Sequence, residues 1–266
     1  MIHYPPESVH ELSAAVANWV RTTADPKLAM HLFVFDFSMR TLHGEAAQPH
    51  LVALIFDSHG EEHGRSEEGF KWALDLPGAV PQVREMALPE VHELQRSTEK
   101  SHGTAETWLQ AALINEIDDQ TVLRAFKWYE KIAIEEPELA LGTFALLEVM
   151  QEPAFSSSPN PESTAWPHGH KGRQHVLQLS TGGPASTSGQ SAKLKERAFK
   201  VLLDAPSKIT GRPHPPGEYL PNFLLECHDL AEIFGANFAK LRQVKRKYDP
   251  RARFTRPGFF IPPAED

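Results

Sequence analysis

The segment Arg173–Thr181, "RQHVLQLST", places chemically useful side chains at a two-residue spacing. As a strand it puts His175, Leu177, Leu179 and Thr181 on one face and Gln174, Val176, Gln178 and Ser180 on the other. Two glutamines and a serine on one wall offer hydrogen-bond donors and acceptors to a polar group, or else simply face water. Histidines offer a second kind of chemistry. There are 14 of them, and His59 and His63 are four apart, as are ligands on one helix face. Gly60 and Gly64 interrupt that stretch and argue against a helix. His168 and His170, with His175 beyond, form another group, and neither group shows a third ligand at motif spacing. The expected reading is loop histidines and no metal.

The elements that would position these residues alternate in blocks. Ser8 and Glu11 have capping-box spacing ahead of Val9, Leu12, Val16, Trp19 and Val20, which share a helical face. The runs His31–Phe37 and Leu51–Asp57 are β-rich and separated by a turn-prone segment, which predicts a hairpin. A helix is predicted from Ser66 to the stop at Pro77-Gly78, and another over "DDQTVLRAFKWYEKIAIEEPE". Strands over Gly142–Met150 and Arg173–Thr181 follow. A helix over "AKLKERAFKVLLDA", a short strand at "EYLPNFLL" and a basic closing helix complete the chain. The expected stripe of that last helix is Phe234, Phe238, Leu241, Val244 and Tyr248. This order predicts an α+β fold, a large antiparallel sheet with helices on one face. Residues 1–225 would form the main body, with 226–266 as a closing helix and tail packed onto it.

Alternation makes both sheet faces apolar. Phe144, Leu146, Glu148 and Met150 share one face of their strand, and His31, Phe33, Phe35 and Phe37 share one face of theirs. A sheet apolar on both sides is covered on both, by helices on one and by a ligand or partner on the other. An apolar wall with few polar groups is how small-molecule sites are built.

The chain has 266 residues, 41% hydrophobic and 23% charged, with formal net charge -8 and a pI near 6.0. The acidic balance argues against nucleic-acid binding; the only basic cluster, Lys240–Arg253, suits a solvated helix face. One cysteine, Cys227, excludes an internal disulfide framework and a thiolate zinc cluster. The N-terminus lacks the charged and apolar regions of a signal peptide, and the longest apolar runs are too short to span a membrane. A soluble, cytoplasmic protein is expected. No dinucleotide fingerprint, P-loop, nucleophile elbow or zincin motif is present.

The closing stretch "FGANFAKLRQVKRKYDPRARF" resembles the C-terminal signature of the berberine-bridge-enzyme-like, FAD-linked oxidases. Gly235, Asn237, Phe238, Leu241, Lys245, Lys247, Tyr248, Asp249, Pro250 and Phe254 carry the resemblance. "EYLPNF" is similar to that family's Tyr-x-Asn strand, loosened by one residue, and "STAWPHGHKGRQHVLQLS" to its Pro-His segment and following strand. Gly169 stands where the family usually has an arginine. The resemblance implies a large antiparallel sheet whose open face roofs a flavin and holds substrate. It also implies a polar or acidic catalytic side chain on the strand after Pro-His, which falls on Gln178; Glu148, on the apolar face of its own strand, is the second expected catalytic residue. Gln174, Val176, Ser180, Phe144, Leu146, Tyr219 and Asn222 are the expected substrate contacts. The family's flavin is held mainly by an N-terminal domain with a Gly-rich pyrophosphate loop and covalent His and Cys attachments. This sequence starts where the substrate domain should, and Cys227 lies in the wrong half. The expectation is therefore no cofactor, with FAD only if a separate flavin domain supplies it. The expected function is flavin-independent isomerisation or cyclisation, including pericyclic cyclisation, of an apolar small molecule in natural-product biosynthesis. The alternatives are half of a truncated or split FAD-dependent oxidoreductase, and a non-catalytic binding protein. The exposed face is expected to be covered by a second copy, as a homodimer, or by the tail.

Overall fold

The computed structural model describes residues 1–36, 47–94, 96, 103, 105–151, 164–166, 175–185, 188–255 and 261–264. Seven strands form one sheet in the order β4-β1-β3-β2-β6-β7-β5. They are β1 (Ile2–Tyr4), β2 (Leu28–Phe35), β3 (His50–Asp57), β4 (Val80–Pro81), β5 (Ala105–Ile114), β6 (Phe144–Met150) and β7 (His175–Pro184). Every neighbouring pair is antiparallel. The helices are α1 (Val9–Thr22), the short α2 (Glu61–Gly64), α3 (Lys71–Leu74) and α4 (Leu88–Glu93), then α5 (Thr121–Glu135), α6 (Ser188–Thr210), α7 (Leu230–Phe234) and α8 (Phe238–Tyr248). The α+β architecture expected from the block order is the one observed.

Helices α1, α5 and α6 cover one face of the sheet. Leu28, Met30, Leu32 and Val34 of β2 point into it, with Ala145, Leu147 and Val149 of β6 and Leu177 and Leu179 of β7, all buried. They meet Leu12, Val16 and Trp19 of α1, Val122, Phe126 and Tyr129 of α5, and Ala198, Leu202 and Ile209 of α6. Polar groups on this face are tied inward. Gln110 donates its amide to Leu202 O at 2.5 Å. Thr143 Oγ1 contacts Thr181 Oγ1 at 2.9 Å, and both hydroxyls reach Leu139 O. Gly142 and Gly182 are small because these backbones touch: a Cβ on Gly182 would stand 2.1 Å from Glu106 O.

Several local expectations shift. Ser8 precedes α1, but its hydroxyl donates to Pro77 O at 2.8 Å rather than capping the helix. The long helix expected from Ser66 shrinks to Lys71–Leu74, and a helix forms at Glu61–Gly64, where glycines had argued against one. Helix α6 continues through Pro206 to Thr210. Strand β5 forms where none was expected. The "EYLPNFLL" strand is reduced to one bridge, Ala112 to Tyr219, at the edge of β5. The closing-helix stripe is only half buried. Phe234 is buried and Phe238 and Leu241 partly so, whereas Val244 and Tyr248 are 46% and 72% exposed. Phe37 lies outside the described residues. Among the described residues, no helix is long and apolar enough to cross a membrane.

Candidate functional site

The side chains opposite the helices line up across the strands. Registers place His31 of β2 directly against Glu148 of β6, and Leu146 of β6 against Gln178 of β7. Gln178 and Glu148 are thus diagonal neighbours on one face, within reach of long side chains. The Gln178 amide donates to Glu148 Oε1. A carboxylate only accepts, so the nitrogen of this amide must face it. Glu148 Oε2 lies 4.0 Å from His31 Nε2. That is an electrostatic approach, longer than a hydrogen bond.

The three polar residues stand in an apolar field. Phe33 and Leu146 are cross-strand partners, as are Glu148 and Val176 and Gln178 and Ala111. The His31 ring meets Phe33 and Phe56 edge-on, at 6.3 and 5.9 Å between centroids. Burial pushes the His31 pKa below the ordinary histidine value, and the Glu148 charge pulls against it. His31 Nδ1 is buried and has no partner among the described residues. Burial thus favours neutral imidazole beside a carboxylate, a pair able to receive and return a proton. Leu54 and Phe56 carry this wall toward a cleft of about 820 Å³, bounded on its far side by Met86, Leu88 and Val91.

Of the expected site residues, Gln178, Glu148, Phe144, Leu146, Val176 and Ser180 share this one face. Ser180 is buried, and its hydroxyl proton is committed to Gly142 O at 2.8 Å. Tyr219 does not join them. It pairs with Ala112, whose neighbour Leu177 points to the helices, and it is buried in that core with its ring 4.9 and 4.2 Å from those of His214 and His228. Burial raises its hydroxyl pKa to about 12. Asn222 is exposed on the loop beyond. Its neighbours Leu220 and Phe223 close the β5 end of the wall, against Ala111, Leu113 and Val176. Gln174, His168, His170 and the Pro167-His168-Gly169 segment lie outside the described residues.

His31 was not among the expected site residues. Its face was readable by alternation with Phe33 and Phe35, but its partner was not, because pairing with β6 is a long-range register.

The closing helix explains its own sequence. Lys245 Nζ bonds the Asp249 carboxylate and reaches Phe254 O at 2.7 Å. Asp249 also accepts the backbone N–H groups of Arg253 and Phe254. These bonds, Lys245 first, hold its carboxyl down at about 2. Asn237 donates to Thr164 O at 2.9 Å. Described tail residues run back along α8, where Ala264 N donates to Arg242 O.

The antiparallel sheet with one helix-covered face, closed by this C-terminal helix, has counterparts among known proteins. The family described as "Berberine and berberine like" matches residues 230–257. No curated protein matches the chain. Solved structures do. Xylooligosaccharide oxidase from Myceliophthora thermophila C1, in complex with xylobiose, aligns at a TM-score of 0.65 and 14% identity, over 100% of this chain and 55% of that one. A berberine bridge enzyme variant aligns at 0.63 and 12%, over 100% and 54%. Carbohydrate oxidase from Microdochium nivale, with a substrate analogue, aligns at 0.62 and 15%, over 99% and 55%. The chain thus resembles the substrate-binding and C-terminal part of the berberine-bridge-enzyme-like, FAD-linked oxidases, and spans about half the length of these structures.

A flavin dinucleotide needs cations or a cradle of backbone N–H groups for its pyrophosphate. Strands β2, β3, β5, β6 and β7 contain no lysine or arginine, and the central charge of their open face is the Glu148 carboxylate. Among the described residues, the strands of this wall offer a pyrophosphate no cation.

Proposed function

We propose that the open face binds an apolar small molecule through one polar group and catalyses its isomerisation or cyclisation by proton transfer, without flavin. The observation that carries this is the row Gln178–Glu148–His31, with Gln178 hydrogen-bonded to Glu148 and His31 4.0 Å from it, set among Phe33, Phe56, Leu146 and Val176. Glu148 is the base. Gln178 fixes its carboxylate and keeps a carbonyl oxygen and a second N–H for the ligand. His31, disfavoured as a cation by burial, sets a neutral imidazole beside the base, where it can hydrogen-bond the ligand. A positioned base contributes roughly 10²–10⁴-fold in rate. A placed donor adds about 3 kcal/mol where charge develops. Holding a reactive conformer supplies up to ~7–11 kcal/mol in the best intramolecular cases. A ring closure driven largely by conformer selection therefore needs little beyond this wall.

The test begins with metabolite profiles from cells with and without the gene. The purified chain is then given the accumulating compound with no flavin present. Turnover by colourless protein supports the reading. Protein that purifies with stoichiometric flavin, or that turns over only when flavin is added, overturns it.

A second reading is favoured by the length comparison. The structures matched here are oxidases about twice as long as this chain, so the same face could serve as the substrate half of an FAD-linked oxidoreductase. Glu148 would then still act as base, with the flavin held by other polypeptide. Activity that appears only on co-expression with a flavin-binding partner selects this reading.

A further inference from the structure

The β2–β3 hairpin brings the residues before β2 beside those after β3. Ser58 donates its backbone N–H and its hydroxyl to Lys27 O, at 3.2 and 3.1 Å. Gly60, with φ of 104°, then turns the chain into α2. That turn returns His63 over the end of β3, where its Nδ1 meets Asp57 Oδ2 at 2.7 Å. His59 Nε2 lies 2.8 Å from Asp25 Oδ2. The two imidazoles stand side by side, 4.3 Å between centroids and tilted 36°. One ligand atom each from Asp25, His59 and His63 falls within 4.8 Å of the others. Donors around a tetrahedral zinc at ~2.0–2.2 Å are roughly 3.3 Å apart, so modest side-chain rotation closes the set.

Asp57 is the organising group. Its side chain is only 7% exposed. It accepts from His63 Nδ1 through one oxygen and from the His59 backbone N–H through the other, at 2.9 Å. Holding Nδ1 leaves Nε2 as the ligating nitrogen of His63, the carboxylate–histidine arrangement that fixes tautomer and raises ligand basicity at metal centres. Two separate His–Asp ion pairs would account for each histidine alone. Together they bring both rings and the Asp25 carboxylate to one spot, so three donors of metal-ligating type stand side by side.

We propose that Asp25, His59 and His63 bind a divalent transition-metal ion of the zinc class, with Asp57 as the outer carboxylate. Two imidazole nitrogens and one carboxylate oxygen suit zinc, cobalt, nickel or copper rather than magnesium or calcium. Three protein ligands leave a fourth position to water. The ion staples the start of β2 to the segment after β3. Asp57, Gly60, Glu61 and Gly64 also line the 820 Å³ cleft, so the staple stiffens the rim of that cleft. The sequence hid the site because Asp25 is far from the histidines in the chain and only the hairpin delivers it.

The experiment uses the full chain, stripped with chelator and titrated with zinc chloride, with metal content measured after desalting. One equivalent of zinc, a higher Tm, and four-coordinate absorption bands on cobalt substitution are expected. His59→Ala and His63→Ala each lower zinc affinity by at least ~100-fold, and Asp57→Asn by roughly 10–100-fold, while His10→Ala leaves it unchanged. His59→Gln, on the exposed turn, serves where His63→Ala fails to fold. Absence of zinc uptake by the parent protein, or equal uptake by the parent and the His59 variants, overturns the proposal.

Discussion

The two faces of one sheet come from the same alternating strands, yet they treat polar residues in opposite ways. On the helix-covered face several polar groups are bound inward: Gln110 to α6, Thr143 and Thr181 to the Leu139 carbonyl. His175 is buried there with neither ring nitrogen paired among the described residues, and burial holds its pKa near 4. At the centre of the open face polar side chains meet each other instead, Gln178 bonded to Glu148 with His31 alongside, while Ser180 at its margin binds the Gly142 carbonyl. Satisfying polar groups with backbone fixes a fold. Satisfying them with each other leaves atoms free for a ligand.

The sharpest way to break this contrast is Glu148→Gln. It keeps shape and removes the base, so turnover should fall by about 10²–10⁴-fold while the urea midpoint stays near that of the parent. A collapse of stability with unchanged turnover would make Glu148 a structural residue. Next comes the pair of adjacent residues Leu32 and Phe33. Leu32→Ala opens a cavity under the helices and should cost about 2–5 kcal/mol of unfolding free energy. Phe33→Ala, on the half-exposed face, should cost clearly less and act mainly on substrate KM. Equal losses in denaturant would erase the difference between the faces.

The third prediction concerns pH. His175 has its folded pKa lowered, so the unfolded chain binds its proton first as pH falls. Its contribution is complete above about 6.5 and declines as pH drops toward about 4, by up to roughly 3 kcal/mol. His175→Leu should flatten the stability curve in that window and leave the slope elsewhere unchanged. An identical slope in both proteins would show that His175 is solvated. The smallest effect is at His31. Removing the Glu148 charge should move the His31 titration, followed by NMR, further down, and no movement would uncouple the pair.

Much of this contrast was legible in the sequence. Period-two alternation assigned the faces of β2, β6 and β7, because each carries large side chains on both sides in strict order. What failed depended on partners far along the chain. Strand β5 was invisible because its "QAALI" end is buried on both faces and reads as a plain apolar run. Tyr219 was expected among the substrate contacts, but its bridge to Ala112, not its local pattern, decides where it points. Val244 and Tyr248 keep helical spacing with Leu241, yet little covers them. The Pro-His resemblance led to Gln178 and strand alternation to Glu148; only the β2–β6 register could add His31.

That register carries a kinetic consequence. Strands β2 and β6 lie side by side at the middle of the sheet, though β3, β4, β5 and α5 intervene along the chain. Joining them closes a long loop, and folds dominated by such distant pairings form slowly. His31 and Glu148 sit on opposite sides of that seam. Their meeting closes that loop, and a probe on either residue would report the moment at which the two halves of the sheet become one.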